Sequence, residues 1–217
     1  MISRIQLVPI VLALGLISGS AHAALQGRDL NGSAGSFEAY YDTDLDITWL
    51  ADANALRSLD WYNVNALAAS LSFTDGVSTY DDWRLPTTLQ PDASCDFNSF
   101  GISLGYNCTG SEMGHLFYSE LGGTAGQSIL TSADPDLAKF TNLVPSPYWS
   151  GSEYIHDGYA WSFNFFGGYQ DGHAKGQGPF GLAVSSGDVG AVPELDTWAM
   201  LLAGLVLVGV ATRRRRG

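Results

Sequence analysis

The chain has 217 residues, of which 46% are hydrophobic and only 15% charged, and its formal net charge is −12. Nucleic acid is excluded as a partner, because phosphate binding requires a basic face. With 26 glycines and 12% aromatic residues, the composition favours strands and ordered loops over a helical bundle.

Arg4 opens the chain with positive charge, and Ile5 to Ile17 form an apolar run interrupted by Gln6, Pro9 and Gly15. Ala21-His22-Ala23 then offers a small-x-small cleavage site. These parts predict a signal peptide over residues 1–23, a mature start at Ala24 and export from the cytoplasm. The body that follows is long enough for one domain. From residue 24 to 192 it carries Arg28, Arg57, Arg84, Lys139 and Lys175 against 20 acidic residues, the 22 of the chain less Glu194 and Asp196. A net charge near −15 suits a solvated surface and disfavours a polyanionic ligand.

Ser36 to Tyr41 and Asp46 to Leu50 read as strands around the turn Asp42-Thr43-Asp44-Leu45. Asp60 is a good N-cap, and Trp61, Val64, Leu67, Ala68 and Leu71 follow at helical spacing, predicting a helix of about eleven residues. Cys95 and Cys108 sit in a long loop, and in an exported chain they are expected to form a disulfide. Thr109-Gly110-Ser111-Glu112 has capping-box form. Met113, Leu116, Phe117 and Leu121 give a second helix its apolar face, and Gly122-Gly123 ends it. Tyr148 to Ser152, Tyr159 to Phe166 and Gly181 to Ser185 read as strands, with Gly167-Gly168 and Asp171-Gly172 as turn signals. The large tryptophans Trp49, Trp61, Trp83, Trp149 and Trp161 are expected to fill the core. Residues 187–191 read as a linker.

The C-terminal residues 192–217 have three parts. Val192-Pro193-Glu194 is followed by the apolar run Trp198 to Ala211 and by Arg213, Arg214, Arg215 and Arg216. Fourteen helical residues span roughly 21 Å at about 1.5 Å each. Extension to Leu195 and snorkelling arginines bring that toward a bilayer core of about 30 Å. The expected anchor is therefore a single membrane helix built on Trp198, Leu201, Leu202, Leu205, Val206, Leu207 and Val208, with the arginines as a cytoplasmic stop.

This tail resembles the PEP-CTERM sorting signal, whose recognition by an exosortase-type membrane protease implies cleavage near Pro193-Glu194. Leu195 and Asp196 stand where that family usually has a second proline. The strings Asp82-Trp83-Arg84-Leu85-Pro86-Thr87, Tyr148-Trp149-Ser150-Gly151-Ser152, Ala160-Trp161-Ser162-Phe163 and Ile47-Thr48-Trp49 are similar to the Lcl-type C-terminal domain. That resemblance covers most of residues 35–186, within a domain expected over residues 24–186. It implies an α+β, C-type-lectin-like fold with a twisted antiparallel sheet, two helices and long loops, related to sulfatase-modifying factors. Together the two resemblances imply an inner-membrane-anchored precursor facing the periplasm, with the mature form in the envelope or extracellular matrix.

Several chemical motifs fail on context. Gly101-Ile102-Ser103-Leu104-Gly105 has nucleophile-elbow spacing but lies inside the cysteine loop. Gly176-Gln177-Gly178-Pro179-Phe180-Gly181 matches a dinucleotide fingerprint, but Pro179 makes it a turn. Asp42, Asp44 and Asp46 alternate as in a calcium loop, yet Ile47 and Ala53 occupy the positions where an EF-hand needs Gly and Glu. They remain the one calcium candidate, and no other cofactor is expected. His115, His156 and His173 share no metal-ligand spacing with one another. His156-Asp157 lacks a placed nucleophile. No catalytic residue is assigned.

The expected function is a non-enzymatic envelope or matrix protein that binds exopolysaccharide or another surface glycan. Tyr154, Tyr159 and Tyr169 are its candidate ligand contacts, since sugars stack on exposed aromatics. The alternatives are a secreted matrix-modifying hydrolase and a purely structural surface protein.

Overall fold

The computed structural model describes residues 25–33 and 35–190. In chain order, β1 (Gln26–Arg28), β2 (Ala39–Asp42) and β3 (Ile47–Leu50) lead to helix α1 (Trp61–Ala68). Three two-residue strands follow, β4 (Phe73–Thr74), β5 (Thr79–Tyr80) and β6 (Trp83–Arg84), then the hairpin of β7 (Phe97–Ser99) and β8 (Ile102–Leu104). Helix α2 (Glu112–His115) continues into a π-helical turn over Leu116–Glu120. The chain closes with β9 (Pro147–Glu153), β10 (Tyr159–Asn164), β11 (Tyr169–Ala174) and β12 (Val184–Ser186).

Five strands form one antiparallel sheet in the order β1-β2-β3-β12-β6, and β11-β10-β9 form a second. The segment before β12 ties them together. The Trp149 N–H donates to the Phe180 carbonyl at 2.8 Å, and the Leu50 N–H to the Ala183 carbonyl at 3.0 Å.

Strands beside this junction are buried on both faces. Successive side chains of a strand point to opposite sides, so each strand feeds two cores. Ile47, Trp49, Tyr148 and Val184 pack with Leu116, Phe117, Phe163 and Phe165 in one. Leu50, Trp149 and Ala183 pack with Leu56, Val64, Trp83 and Leu85 in the other. Three buried indoles also find acceptors for their N–H groups: Trp49 on Asp42, Trp83 on Tyr80, and Trp149 on Leu59.

Helix α1 starts where its cap places it, with an Asp60 carboxylate oxygen accepting from the Asn63 N–H at 3.1 Å. It ends at Ala68, three residues short of the predicted Leu71. Helix α2 is capped differently from the expected box. Ser111 is the N-cap, its hydroxyl accepts from the Leu89 N–H, and Glu112 turns away to pair with Arg84. Asp171-Gly172, expected as a turn, lies inside β11. Gly167-Gly168 does form the turn between β10 and β11, with φ of +77° at Gly168.

The fold class is corrected accordingly: a mixed α+β domain with antiparallel sheets and two short helices. Among the described residues no helix is long and apolar enough to cross a membrane, so the expected membrane helix is dropped from the fold class. Its named residues Trp198, Leu201, Leu202, Leu205, Val206, Leu207 and Val208 lie outside the described residues. So do the signal peptide, Val192-Pro193-Glu194 and Arg213 to Arg216.

Candidate functional site

The turn joining β2 to β3 is built around Asp42. One carboxylate oxygen accepts from the backbone N–H of Asp44 and Leu45, at 3.0 and 3.1 Å. The other accepts from the Trp49 indole at 3.2 Å. These bonds fix a fully buried carboxylate against the first core. Asp44 and Asp46, expected to share a cation with Asp42, are not brought together with it. Asp46 instead accepts from the Tyr41 hydroxyl at 2.8 Å.

What faces Asp42 comes from α2. His115 Nε2 lies 3.8 Å from Asp42 Oδ2 and 3.1 Å from Glu120 Oε1. The Glu120 carboxylate beside it raises the imidazole above its ordinary pKa of 6.5, against the opposing effect of burial, with Asp42 adding to the rise. The side chains are 0% (Asp42), 2% (Glu120) and 14% (His115) exposed, so the imidazole is the most accessible of the three among the described residues. One ligand atom from each residue lies within 4.8 Å of the others, a donor set able to coordinate a divalent cation. Glu120 Oε2 is buried and has no hydrogen-bond partner among the described residues.

A search of the sequence for paired histidines misses this cluster, because it contains a single histidine. The available signal was the string His115 to Glu120 running into Gly122-Gly123, which reads as a helix end.

A second feature lies at the surface. A groove of about 290 Å³ runs between the segment after Pro86, the tip of the β7–β8 hairpin and the end of β9; Thr88, Gln90, Ile102, Ser152, Tyr154 and Trp161 are among its walls. The Tyr154 ring meets Trp161 edge to face, with centroids 4.5 Å apart. It also packs on the backbone of β11, where a Cβ added at Gly172 would stand 2.9 Å from the ring. Burial raises the Tyr154 phenol above its ordinary pKa, so it is a neutral hydroxyl. Tyr159 is 43% exposed and its ring lies 6.5 Å from that of Tyr154. Tyr169 is at the opposite end of the hairpin and packs on Tyr106 at 4.9 Å. The structure thus gathers Tyr154 and Tyr159 and leaves Tyr169 apart.

A larger groove of about 380 Å³ lies between Phe37, Tyr40, Phe73 and Lys139. Its charged groups are already engaged. Glu38 accepts from the Leu30 N–H and the Ser36 hydroxyl, and Lys139 bonds the Leu25 carbonyl and Asp136.

The remaining motif residues are structural. Cys95 and Cys108 form a disulfide. Ser103 is buried on β8, where its hydroxyl bonds Asn98, so it cannot serve as a nucleophile. His156 and Asp157 are exposed in the β9–β10 turn.

No family model matches this chain, and no curated protein matches it. The PEP-CTERM and Lcl-type resemblances, with the lectin-like fold label they implied, are therefore withdrawn. Without a family match or a membrane-spanning helix among the described residues, the exosortase partner, the inner-membrane partner and the anchored-precursor localisation are withdrawn too.

Proposed function

We propose that this chain is a non-enzymatic binding module for a neutral polysaccharide, working in an oxidising compartment and using the groove beside Tyr154. The observation that carries the reading is the composition of that groove. A positioned aromatic ring stands beside polar groups with bonding capacity to spare. The Tyr154 and Thr88 hydroxyls make no hydrogen bond to the described residues, and the Glu153 carboxylate is 69% exposed beside Lys175. Sugars bind by this combination of apolar ring face and hydroxyl-directed hydrogen bonds. The acidic body supports a neutral polymer over a sulfated or phosphorylated one, since like charges repel. The Cys95–Cys108 disulfide supports an oxidising compartment.

The test is a titration of the purified protein with neutral, uronic-acid-bearing and sulfated polysaccharides. Saturable binding to a neutral polymer, lost in Tyr154→Ala at unchanged melting temperature, is the expected result. Equal binding by Tyr154→Ala, or no binding to any neutral polymer, would sink the reading.

A further inference from the structure

We propose that Asp42, His115 and Glu120 bind one divalent transition-metal ion of the zinc class, and that this ion staples the β2–β3 turn to the end of α2. This site is independent of the polysaccharide groove.

Three observations carry it. The first is charge. Two carboxylates, 0% and 2% exposed, face each other across one imidazole, and a protonated His115 would still leave one negative charge uncompensated. Buried charge is costly unless neutralised. No lysine or arginine bridges either carboxylate among the described residues: Arg28, Arg84, Lys139 and Lys175 pair elsewhere, and Arg57 is exposed and forms no ion pair with them. A divalent cation removes the imbalance.

The second is the Glu120 Oε2 atom, buried and without a partner among the described residues. His115 satisfies only Oε1. A metal between the three side chains would give this carboxylate the remaining interaction it lacks.

The third is spacing. Ligands held about 2.0–2.1 Å from a tetrahedral centre stand about 3.3 Å apart. The imidazole nitrogen here is 3.1 and 3.8 Å from its two carboxylate neighbours. Small rotations of those side chains would complete a three-ligand site, with water as the fourth ligand entering along the exposed imidazole edge.

Calcium fits less well. It takes six to eight oxygens at about 2.3–2.6 Å. Only two carboxylates are present, and the third donor is an imidazole nitrogen. An imidazole with two carboxylates is a donor set suited to zinc and its neighbours.

The experiment uses purified full-length protein, stripped with chelator and titrated by calorimetry with zinc or calcium chloride alone. One equivalent of zinc should bind, with calcium much weaker. His115→Gln and Glu120→Gln should each weaken zinc binding at least tenfold, while His156→Gln should leave it unchanged. Absence of stoichiometric zinc binding, zinc binding that survives both substitutions, or a preference for calcium would each overturn the proposal. If the variants fail to fold, cobalt substitution of the wild-type protein decides: intense visible bands of tetrahedral cobalt support the site, and weak octahedral bands overturn it.

Discussion

His115 and Glu120 are five residues apart, yet their side chains meet at 3.1 Å because the chain between them winds as a π turn. The Leu121 N–H donates to the Leu116 carbonyl at 2.9 Å, the five-residue bond of that geometry. In an α-helix at about 100° per residue the two side chains would point roughly 140° apart. The π turn therefore makes the cluster possible.

If zinc occupies the cluster, it binds the folded chain and not the unfolded one. At free zinc a hundredfold above its dissociation constant, it stabilises the fold by about 2.7 kcal/mol. For a domain of this size that raises the melting temperature by roughly 5–10 °C. Calorimetric melts with zinc and with chelator should show this rise in the wild type and not in His115→Gln.

The Arg84–Glu112 pair is expected to anchor the segment that walls the surface groove. Arg84 donates to both oxygens of Glu112 at 2.8 Å, and the Thr87 N–H donates to the same carboxylate at 2.6 Å. The pair raises the already basic guanidinium further, chiefly through the Glu112 hydrogen bond. Glu112→Ala strips the acceptor from all three donors and should cost about 2–3 kcal/mol. Arg84→Ala, whose side chain is one-third exposed, should cost about 1–2 kcal/mol. Arg84→Lys should rescue little, because an ammonium cannot reproduce the two-pronged contact. Urea unfolding of the three variants checks the order.

The Cys95–Cys108 disulfide, with its sequence separation of 13, closes the loop that carries the β7–β8 hairpin. Loop closure of that length is worth about 3 kcal/mol in the chain-entropy model. Cys95→Ser with Cys108→Ser should lower stability by about that amount. Because Gly101 and Ile102 at the hairpin tip line the groove, the same variant should weaken polysaccharide binding even below its melting temperature.

His173 should give the fold an acid-sensitive slope. Burial lowers its pKa below the ordinary 6.5, with Asp171 opposing. Its ring packs edge-on to Trp149, with centroids 5.9 Å apart, and Nδ1 lies 3.3 Å from the Ser162 hydroxyl. A depressed folded-state pKa means the unfolded chain takes up the proton first. The contribution is full above pH 6.5 and is lost as pH falls through the lower folded value. His173→Asn should flatten that part of the stability profile relative to wild type, measured by denaturant unfolding between pH 7.5 and 5.

Much of the fold was legible where one local rule governs. Asp60 announced α1 through its cap, and Asp46 to Leu50 read as a strand, which forms over Ile47–Leu50. Strand β11 was missed because Asp171-Gly172 carries a turn signal, whereas Gly172 is there to admit the Tyr154 ring. The cation cluster was half legible. Asp42 stood out in its acidic turn, but its partners come from a distant helix end, and their five-residue spacing shares a face only in a π turn. Fold topology and helix register decide that juxtaposition, and neither is written in local spacing.

Gly172 offers the sharpest separation of the groove from the scaffold. An alanine Cβ there would stand 2.9–3.0 Å from three carbons of the Tyr154 ring, closer than real contacts allow. The backbone itself has no objection, because Gly172 pairs with Trp161 in regular register and is not among the glycines with positive φ. The ring is the movable partner: it sits at a half-buried groove wall, and swinging it outward relieves the clash at small cost to the core. Gly172→Ala should therefore keep the melting temperature within a few degrees while reducing polysaccharide binding about as much as Tyr154→Ala. Paired binding isotherms and thermal melts of the two variants check this. Full binding by Gly172→Ala would mean that the Tyr154 position does not matter, and would remove the groove from the account of what this protein binds.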